Sequence, residues 1–352
     1  MSIIVQILGI IIGFGFLVFI HELGHFFAAK MCKVHVRTFA FGFGPDIIKY
    51  NYKETKYCIK LIPFGGLVSM SGDNPDNLKG EKGEYLSLPW FKKIWVSFAG
   101  PFANYILAII IFAFSFNIWG ISEISKEPKI GSLLENYPAA LAKLQAGDKI
   151  NYIDGIKINS WDDLANNLKD KANREATFVI ERGTYTFEQN ITVGQNPVTK
   201  SGALGINPIF TNTPSNFFNS IYAGAKVSIN QTFMTIDYLA SKIISMEKPD
   251  IAGPIGVMQV MAKAAKSGMQ DYLRLLAIIS VALGLFNLFP IPMVDGGMIV
   301  LFAIEGIIRK KIKLKIIQIY NTIGLIFVIL IFLFATYSDF LRLGITKFFI
   351  KQ

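Results

Sequence analysis

Two histidines four residues apart, with a glutamate after the first, sit in the otherwise apolar stretch FLVFIHELGHFFAAK, Phe16 to Lys30. On a helix, positions i and i+4 share one face, a single turn apart. His21 and His25 therefore offer two imidazole nitrogens to one metal ion, and Glu22 stands beside that ion rather than on it. HExxH on a helix is the signature of zinc-dependent peptide hydrolysis, with two ligands and a general base. Beside a bound zinc the pKa of water falls toward about 7, and the glutamate takes the proton as the water attacks a carbonyl. The alternative is a chance motif or a structural histidine pair. The whole chain has only three histidines, and ionisable groups inside an apolar span are costly and mark function. The metal reading is therefore preferred. The third histidine, His35, lies just past the stretch and reads as an ordinary interfacial residue.

A catalytic zinc takes three protein ligands and keeps a fourth position open. Asp295 is the preferred third ligand, in SVALGLFNLFPIPMVDGGMIVLFAIEG. Pro290 and Pro292 break the helix before it, and Gly296-Gly297 are expected to loosen it after. Irregular backbone at membrane depth persists only where it is buried in protein or lines a cavity. A carboxylate presented from such a break can reach a metal held by the first span. Glu305 is the rival, but it lies nearer a basic segment, where an ion pair with Arg309 is the simple alternative. Asn287 has two open roles. A buried amide there can donate to a developing oxyanion, or it can satisfy backbone groups freed around the prolines.

These residues need a membrane-embedded frame. Of 352 residues, 52% are hydrophobic, and the mean hydropathy is +0.43. That is too apolar for an ordinary soluble domain. A span needs about 20 mostly apolar residues, and four stretches qualify: Ile3–Ala29, Ile94–Trp119, the overlong and interrupted Tyr272–Ile307, and Ile316–Tyr337. A cleaved signal peptide is disfavoured for the first, because no basic region precedes it and no small-x-small site follows. The net charge is +10. Its lysines and arginines crowd between the first two spans and again between the last two, which places both loops in the cytoplasm by the positive-inside bias. Both termini and the long segment after the second span then lie outside. The basic charge flanks spans rather than interleaving with aromatics on a soluble face, so nucleic acid is not an expected partner. Cys32 and Cys58 fall in a cytoplasmic loop and read as small apolar residues, not as a disulfide.

Between the first two spans, DIIKYNYK and KYCIKLIP bracket Glu54-Thr55 and predict a β-hairpin. Gly42, Gly44, Pro45, Gly65 and Gly66 punctuate its ends. Its edge must be covered by protein or line a wet cavity. In the second span, Gly100 and its neighbours permit close helix contact, and Asn104 needs a partner. From about Ile121 the composition becomes that of a soluble domain. KINYIDGIKIN predicts strands around Asp154-Gly155, and NSWDDLANNLKD a helix capped by Ser160 with Asp163 at the capping-box position. ATFVIERGTYTFEQNITV predicts a hairpin near Arg182-Gly183. The segment 214–250 reads as an amphipathic helix at the outer membrane surface; Lys226 and Asp237 count against a fifth span.

HELGH, FGFGP, IPFGG, AGPFAN, GPIGV and NLFPIPMVDGG, in this order, resemble the site-2 protease family, the M50-type intramembrane zinc metalloproteases. They are most like its bacterial branch that regulates sigma-E. The β-rich segment also resembles a PDZ domain of the bacterial protease type, PAALAKLQAGDKI looking like its carboxylate-binding loop and helix start. The resemblance implies a polytopic α-helical membrane protein. It would have four transmembrane helices, a membrane-embedded β-hairpin or sheet between the first two, and one extracytoplasmic PDZ-like domain. The corresponding divisions are 1–30, 31–92, 93–120, 121–213, 214–250, 251–308 and 309–352. It further implies one zinc per chain on His21, His25 and Asp295, with Glu22 as base. Asn287 would help bind substrate or stabilise the intermediate; Pro290, Pro292, Gly65 and Gly66 are further substrate-binding or oxyanion candidates. The implied setting is the bacterial cytoplasmic membrane. The implied partners are the lipid bilayer, single-pass substrates such as anti-sigma factors and remnant signal peptides, and a peptide or substrate ectodomain at the PDZ-like domain. There is room for one PDZ-like domain where the enterobacterial form has two, which puts substrate selection by a paired module in doubt.

Two other functions compete. A membrane scaffold binding peptides through its PDZ-like domain would need a broken metal site, and every part is intact. An ion or zinc transporter using the midplane His and Asp would not need Glu22 beside the first histidine, and the spans show no inverted repeat. For a hydrolase, the β element has a purpose. A substrate helix must unwind in a dry site, and an exposed strand edge within Ile47–Met70 can pair with the freed backbone groups.

Overall fold

The first helix, α1 (Ile3–Met31), is apolar in sequence apart from Gln6, the HELGH motif and Lys30. That pattern suits a helix with lipid or protein all round it. The computed structural model describes residues 3–196, 200–245 and 253–342. The expected C-terminal tail at 343–352, the end of the amphipathic segment at 246–250 and the start of the following linker at 251–252 lie outside the described residues.

After α1 come two long strands, β1 (Val36–Tyr52) and β2 (Thr55–Met70). Each folds back on itself, so together they make more than a simple hairpin. Thr38 to Phe41 pair on one side with Gly66 to Ser69 and on the other with Lys56 to Ile59, while Asp46 to Tyr52 pair with Lys60 to Thr55. The ladder therefore runs 66–70, 36–43, 55–62, 46–52, with Gly66–Met70 at one edge. Gly42 makes one bend at φ +91°, where an added Cβ would strike the Ile62 carbonyl; only glycine adopts this turn without strain. The hairpin turn is Lys53-Glu54, because Thr55 already pairs with Tyr52 and Lys53 takes φ +52°. The expected turn at Glu54-Thr55 is thus displaced by one residue. Cys32 and Cys58 are both free thiols.

Next is α2 (Trp90–Trp119), which contains Pro101. Phe116–Asn216 then form a compact unit of their own. In order its elements are β3 (Ile121–Ile124), β4 (Ile130–Leu133), α3 (Pro138–Leu141), β5 (Lys149–Ile153), β6 (Ile156–Lys157), α4 (Trp161–Lys169), β7 (Glu175–Arg182), β8 (Tyr185–Thr192), β9 (Gly194–Gln195), β10 (Gly202–Ala203), β11 (Ile206–Pro208) and β12 (Phe210–Thr213). Strands β6, β5, β7 and β8 form a sheet in that order, and β3–β12, β4–β11 and β9–β10 pair separately. Helix α4 begins on Ser160 with the expected capping box to Asp163. Ile150, Ile153, Leu164, Phe178 and Ile180 are fully buried in this unit's core; each such side chain contributes about 1.5–3 kcal/mol on burial.

The chain continues through α5 (Phe217–Ile244), α6 (Pro254–Ser267), α7 (Met269–Asn287), α8 (Asp295–Ile308) and α9 (Leu314–Arg342). Helix α5 packs on α2. Its Gly224 faces the Ile109 carbonyl and Phe112, and Tyr105 and Thr232 share a 2.9 Å hydroxyl hydrogen bond. Among the described residues, four helices are long and apolar enough to cross a membrane: Gly9–Met31, Trp90–Trp119, Met269–Asn287 and Leu314–Arg342. The interrupted third stretch is therefore α7, a loop and α8. A core around Phe26, Val36, Phe39, Met70, Tyr85 and Phe302 joins α1, the sheet, α2 and α8.

Candidate metal centre

His21 and His25 lie one turn apart on α1, both more than nine-tenths buried. Their Nε2 atoms stand 3.2 Å from each other. Asp295, the first residue of α8, brings one carboxylate oxygen to 3.1 Å from His21 Nε2 and the other to 3.3 Å from His25 Nε2. Ligands about 2.0–2.1 Å from a tetrahedral zinc stand about 3.3–3.4 Å apart. The two Nε2 atoms thus stand at nearly the spacing of ligands on one shared ion, and one donor atom from each of the three residues lies within 4.8 Å of the others; two imidazoles with a carboxylate are a donor set that zinc accepts. Zinc fits these residues.

Helix α2 sets how the imidazoles face. His25 Nδ1–H donates to the Val96 carbonyl at 2.7 Å, which leaves its Nε2 lone pair for a ligand role. Pro101 cannot donate within α2, which loosens the turn before it. Gly100 lets the helices approach, since an added Cβ would overlap the His25 ring; Gly24 does the same from α1 against the Ala99 carbonyl. The partner expected for Asn104 is His21, whose Nδ1 lies 3.1 Å from the Asn104 side-chain amide.

Glu22 leans toward the sheet. Its Oε2 accepts a hydrogen bond from the Val68 backbone N–H at 3.1 Å, and Gly66 lies so close that a Cβ there would come within 2.9 Å of Glu22 Cγ. A cavity of about 380 Å³ opens on the group, lined by His21, Glu22, His25, Asn287 and Asp295 together with Val68, Met70, Asp73, Tyr85, Val96, Ser97, Met293, Val294 and Met298. Most of this second set carried no sequence signal, because apolar residues lining a site look like any others. Pro290, Pro292, Gly65 and Gly66 are not in the lining. Gly66 touches the base, Gly65 turns the chain at φ +113° against Phe43, and the prolines shape the loop.

The loop and α8 correct two expectations, the loosening by Gly296-Gly297 and the Glu305–Arg309 pair. Gly296 and Gly297 do not loosen α8; they let the loop carbonyls of Leu288 and Ile291 press onto its first turn, and Tyr320 fixes this turn by donating to the Gly297 carbonyl at 3.0 Å. Glu305 neither reaches the metal group nor pairs with Arg309. It is buried and binds Lys93 Nζ through both carboxylate oxygens, at 2.7 and 2.8 Å. His35, too, is more than a free interfacial residue: its Nδ1 lies 3.1 Å from Glu54. Outside the spans, hydrogen bonds from Lys56 and then Lys60 hold the Asp46 carboxyl well below the usual carboxylate range.

The profile of peptidase family M50 matches residues 9–331. A Clostridium acetobutylicum protein, by name an inferred zinc metalloprotease, is 31% identical over 94% of this chain and 95% of its own length. The regulator of sigma-W protease RasP of Bacillus subtilis is 27% identical over 96% of this chain and 98% of its own. Among solved structures, the PDZ domain of an SdrC-like protein from Listeria monocytogenes matches 25% of this chain and 94% of its own, at 20% identity and a TM-score of 0.23.

Proposed function

This chain belongs to peptidase family M50 and is a metalloprotease, and on that premise we propose that it is a zinc-dependent endopeptidase that cuts transmembrane segments of single-pass proteins within the bilayer. His21, His25 and Asp295 hold one zinc per chain. A zinc ion there supplies Lewis acidity, polarising a carbonyl and lowering the pKa of water toward about 7. Glu22 takes the proton from the attacking water and returns it to the leaving amine. The observation that carries this reading is that His21, His25 and Asp295 bring one donor atom each to within 4.8 Å of one another, with Glu22 on the helix of the two histidines and lining the same cavity.

The edge strand Gly66–Met70 is the docking line for substrate. It lies beside Glu22, and an unwound substrate segment can add to it as a further strand, satisfying backbone groups that have no water to turn to. Asn287, in the cavity lining, binds the substrate carbonyl or stabilises the developing oxyanion. Pro290, Pro292 and Gly65 act through loop and sheet shape. The substrates are anti-sigma-factor-like proteins or remnant signal peptides, in keeping with the name of the Bacillus subtilis relative. The β-rich unit acts as a single PDZ-like domain that receives a peptide or substrate ectodomain outside the bacterial cytoplasmic membrane, on the same side as both termini.

The test is cleavage of a single-pass substrate by the purified protein, with Glu22→Gln beside the wild type. The wild type should cut within the membrane segment and stop on zinc removal by a chelator. The variant should hold one zinc and lose about 10²–10⁴-fold in rate. Equal cleavage by both would overturn Glu22 as the base.

A further inference from the structure

We infer that Asn104 is a positioning residue for the metal site: its side-chain carbonyl accepts the His21 Nδ1–H and so turns the His21 Nε2 lone pair toward the metal. This rests on the zinc metalloprotease reading above and adds a residue to it. Asn104 is fully buried in α2. An amide at such a place is costly unless its polar atoms are matched. Its amide faces His21 Nδ1 at 3.1 Å, on the ring edge opposite the one that meets Asp295.

The two atoms of a side-chain amide exchange places by a half-turn, and the hydrogen-bond network decides between them. With Nδ2 toward His21, Oδ1 is buried and finds no donor. The ring would then carry its proton on Nε2, where a ligand lone pair is needed. The half-turn gives Oδ1 a donor in His21 Nδ1–H and frees Nε2. His25 meets the same need with the Val96 carbonyl. One helix thus orients both imidazoles, one through its backbone and one through a side chain.

Asn104 is itself held in place. Ser280 Oγ, fully buried on α7, donates to the Asn104 backbone carbonyl at 2.8 Å. Helix α7 runs on to Asn287 and the loop that presents Asp295. The Ser280–Asn104 bond therefore ties the element leading to the third ligand to the residue that orients the first. Partners that orient metal-bound histidines are worth about 10–100-fold in metal affinity.

The experiment measures zinc affinity of the full-length protein in detergent, by competition with a chromophoric chelator, for wild type, Asn104→Leu and Asn104→Asp. Leu keeps the approximate volume and removes the acceptor; Asp keeps an acceptor. The expected result is a loss of about 10–100-fold for Leu and wild-type affinity for Asp. Nitrogen-15 spectra of the zinc-loaded protein should show the His21 proton on Nδ1 in the wild type and in Asn104→Asp. Where Asn104→Leu does not fold, Asn104→Ala reads the same way. Wild-type affinity in the acceptor-free variant overturns the proposal, as does an equal loss in Leu and Asp, which marks a packing role. A wild type that holds no zinc overturns the metalloprotease reading instead.

Discussion

The Glu22 carboxylate and the Val68 backbone N–H share a hydrogen bond of 3.1 Å. The proposed base is thereby anchored to the edge of the sheet, through a donor that points away from β1. Proline is tolerated on an edge strand where its missing N–H is not needed for the ladder, so Val68→Pro removes this donor and spares the pairing with Phe39. Hydrogen bonds to charged groups contribute about 1.5–3 kcal/mol, which predicts a fall in kcat/KM of about 10- to 150-fold. Zinc content should not change. Full activity in Val68→Pro would show that the base needs no such anchor.

Gly100 leaves room for the His25 imidazole at the contact of α1 with α2. A methyl group at this position would occupy the ring's place, and the nearby backbone has little room to yield. Gly100→Ala should displace His25 from the Val96 carbonyl and weaken zinc binding by about 10–100-fold. Overpacking of this kind also destabilises by about 1–3 kcal/mol. Zinc retained after dialysis against a weak chelator reads the first effect and thermal unfolding reads the second. A variant that keeps wild-type zinc would place the ring's freedom elsewhere.

How far the sequence reveals this site depends on the distance between partners. His21, Glu22 and His25 are legible because one helical turn sets their geometry. Asp295 is legible because Pro290 and Pro292 interrupt an apolar run just before it. The need of Asn104 for a partner is legible too, but the identity of that partner depends on how α1 and α2 pack. The same holds for Glu305: Arg309 is its near neighbour in sequence, while Lys93, its actual partner, lies 212 residues away. The hairpin is readable from its turn chemistry, but its folding into four ladder segments is not. That depends on glycine bends whose close contacts, such as Gly42 with Ile62, arise only in the folded sheet.

Lys93 and Glu305 tie the start of α2 to α8, the helix whose first residue is Asp295. The lysine also lies 4.5 Å from the centre of the Phe302 ring. Removing one member of a buried pair leaves an uncompensated charge and costs about 3–5 kcal/mol, whereas replacing both with apolar residues is often neutral. Lys93→Met and Glu305→Gln should each lower the unfolding temperature and loosen zinc by letting α8 shift. The double change Lys93→Met with Glu305→Leu should recover much of the stability. A double variant no better than the singles would show that the charges themselves are required.

Asp148 supplies a pH-dependent prediction for the β-rich unit. Its side chain is buried, which alone would push the carboxyl up. The Arg182 fork at 2.7 and 2.8 Å and the Gln145 N–H at 2.8 Å outweigh this and hold it below the ordinary carboxylate range. A depressed folded pKa stabilises at every pH above the unfolded value of about 3.9, and that stability is lost as pH falls through the folded pKa. Asp148→Asn keeps the shape and removes the charge. It should cost about 1–3 kcal/mol at pH 7, and the gap to wild type should close as the pH drops below about 3.9. Thermal unfolding of the full chain in detergent, with hydrogen exchange assigning the transition to β5 and β7, measures both effects. A gap that stays constant down to a pH of about 3, below the unfolded value, would mean that the substitution costs packing rather than an ion pair.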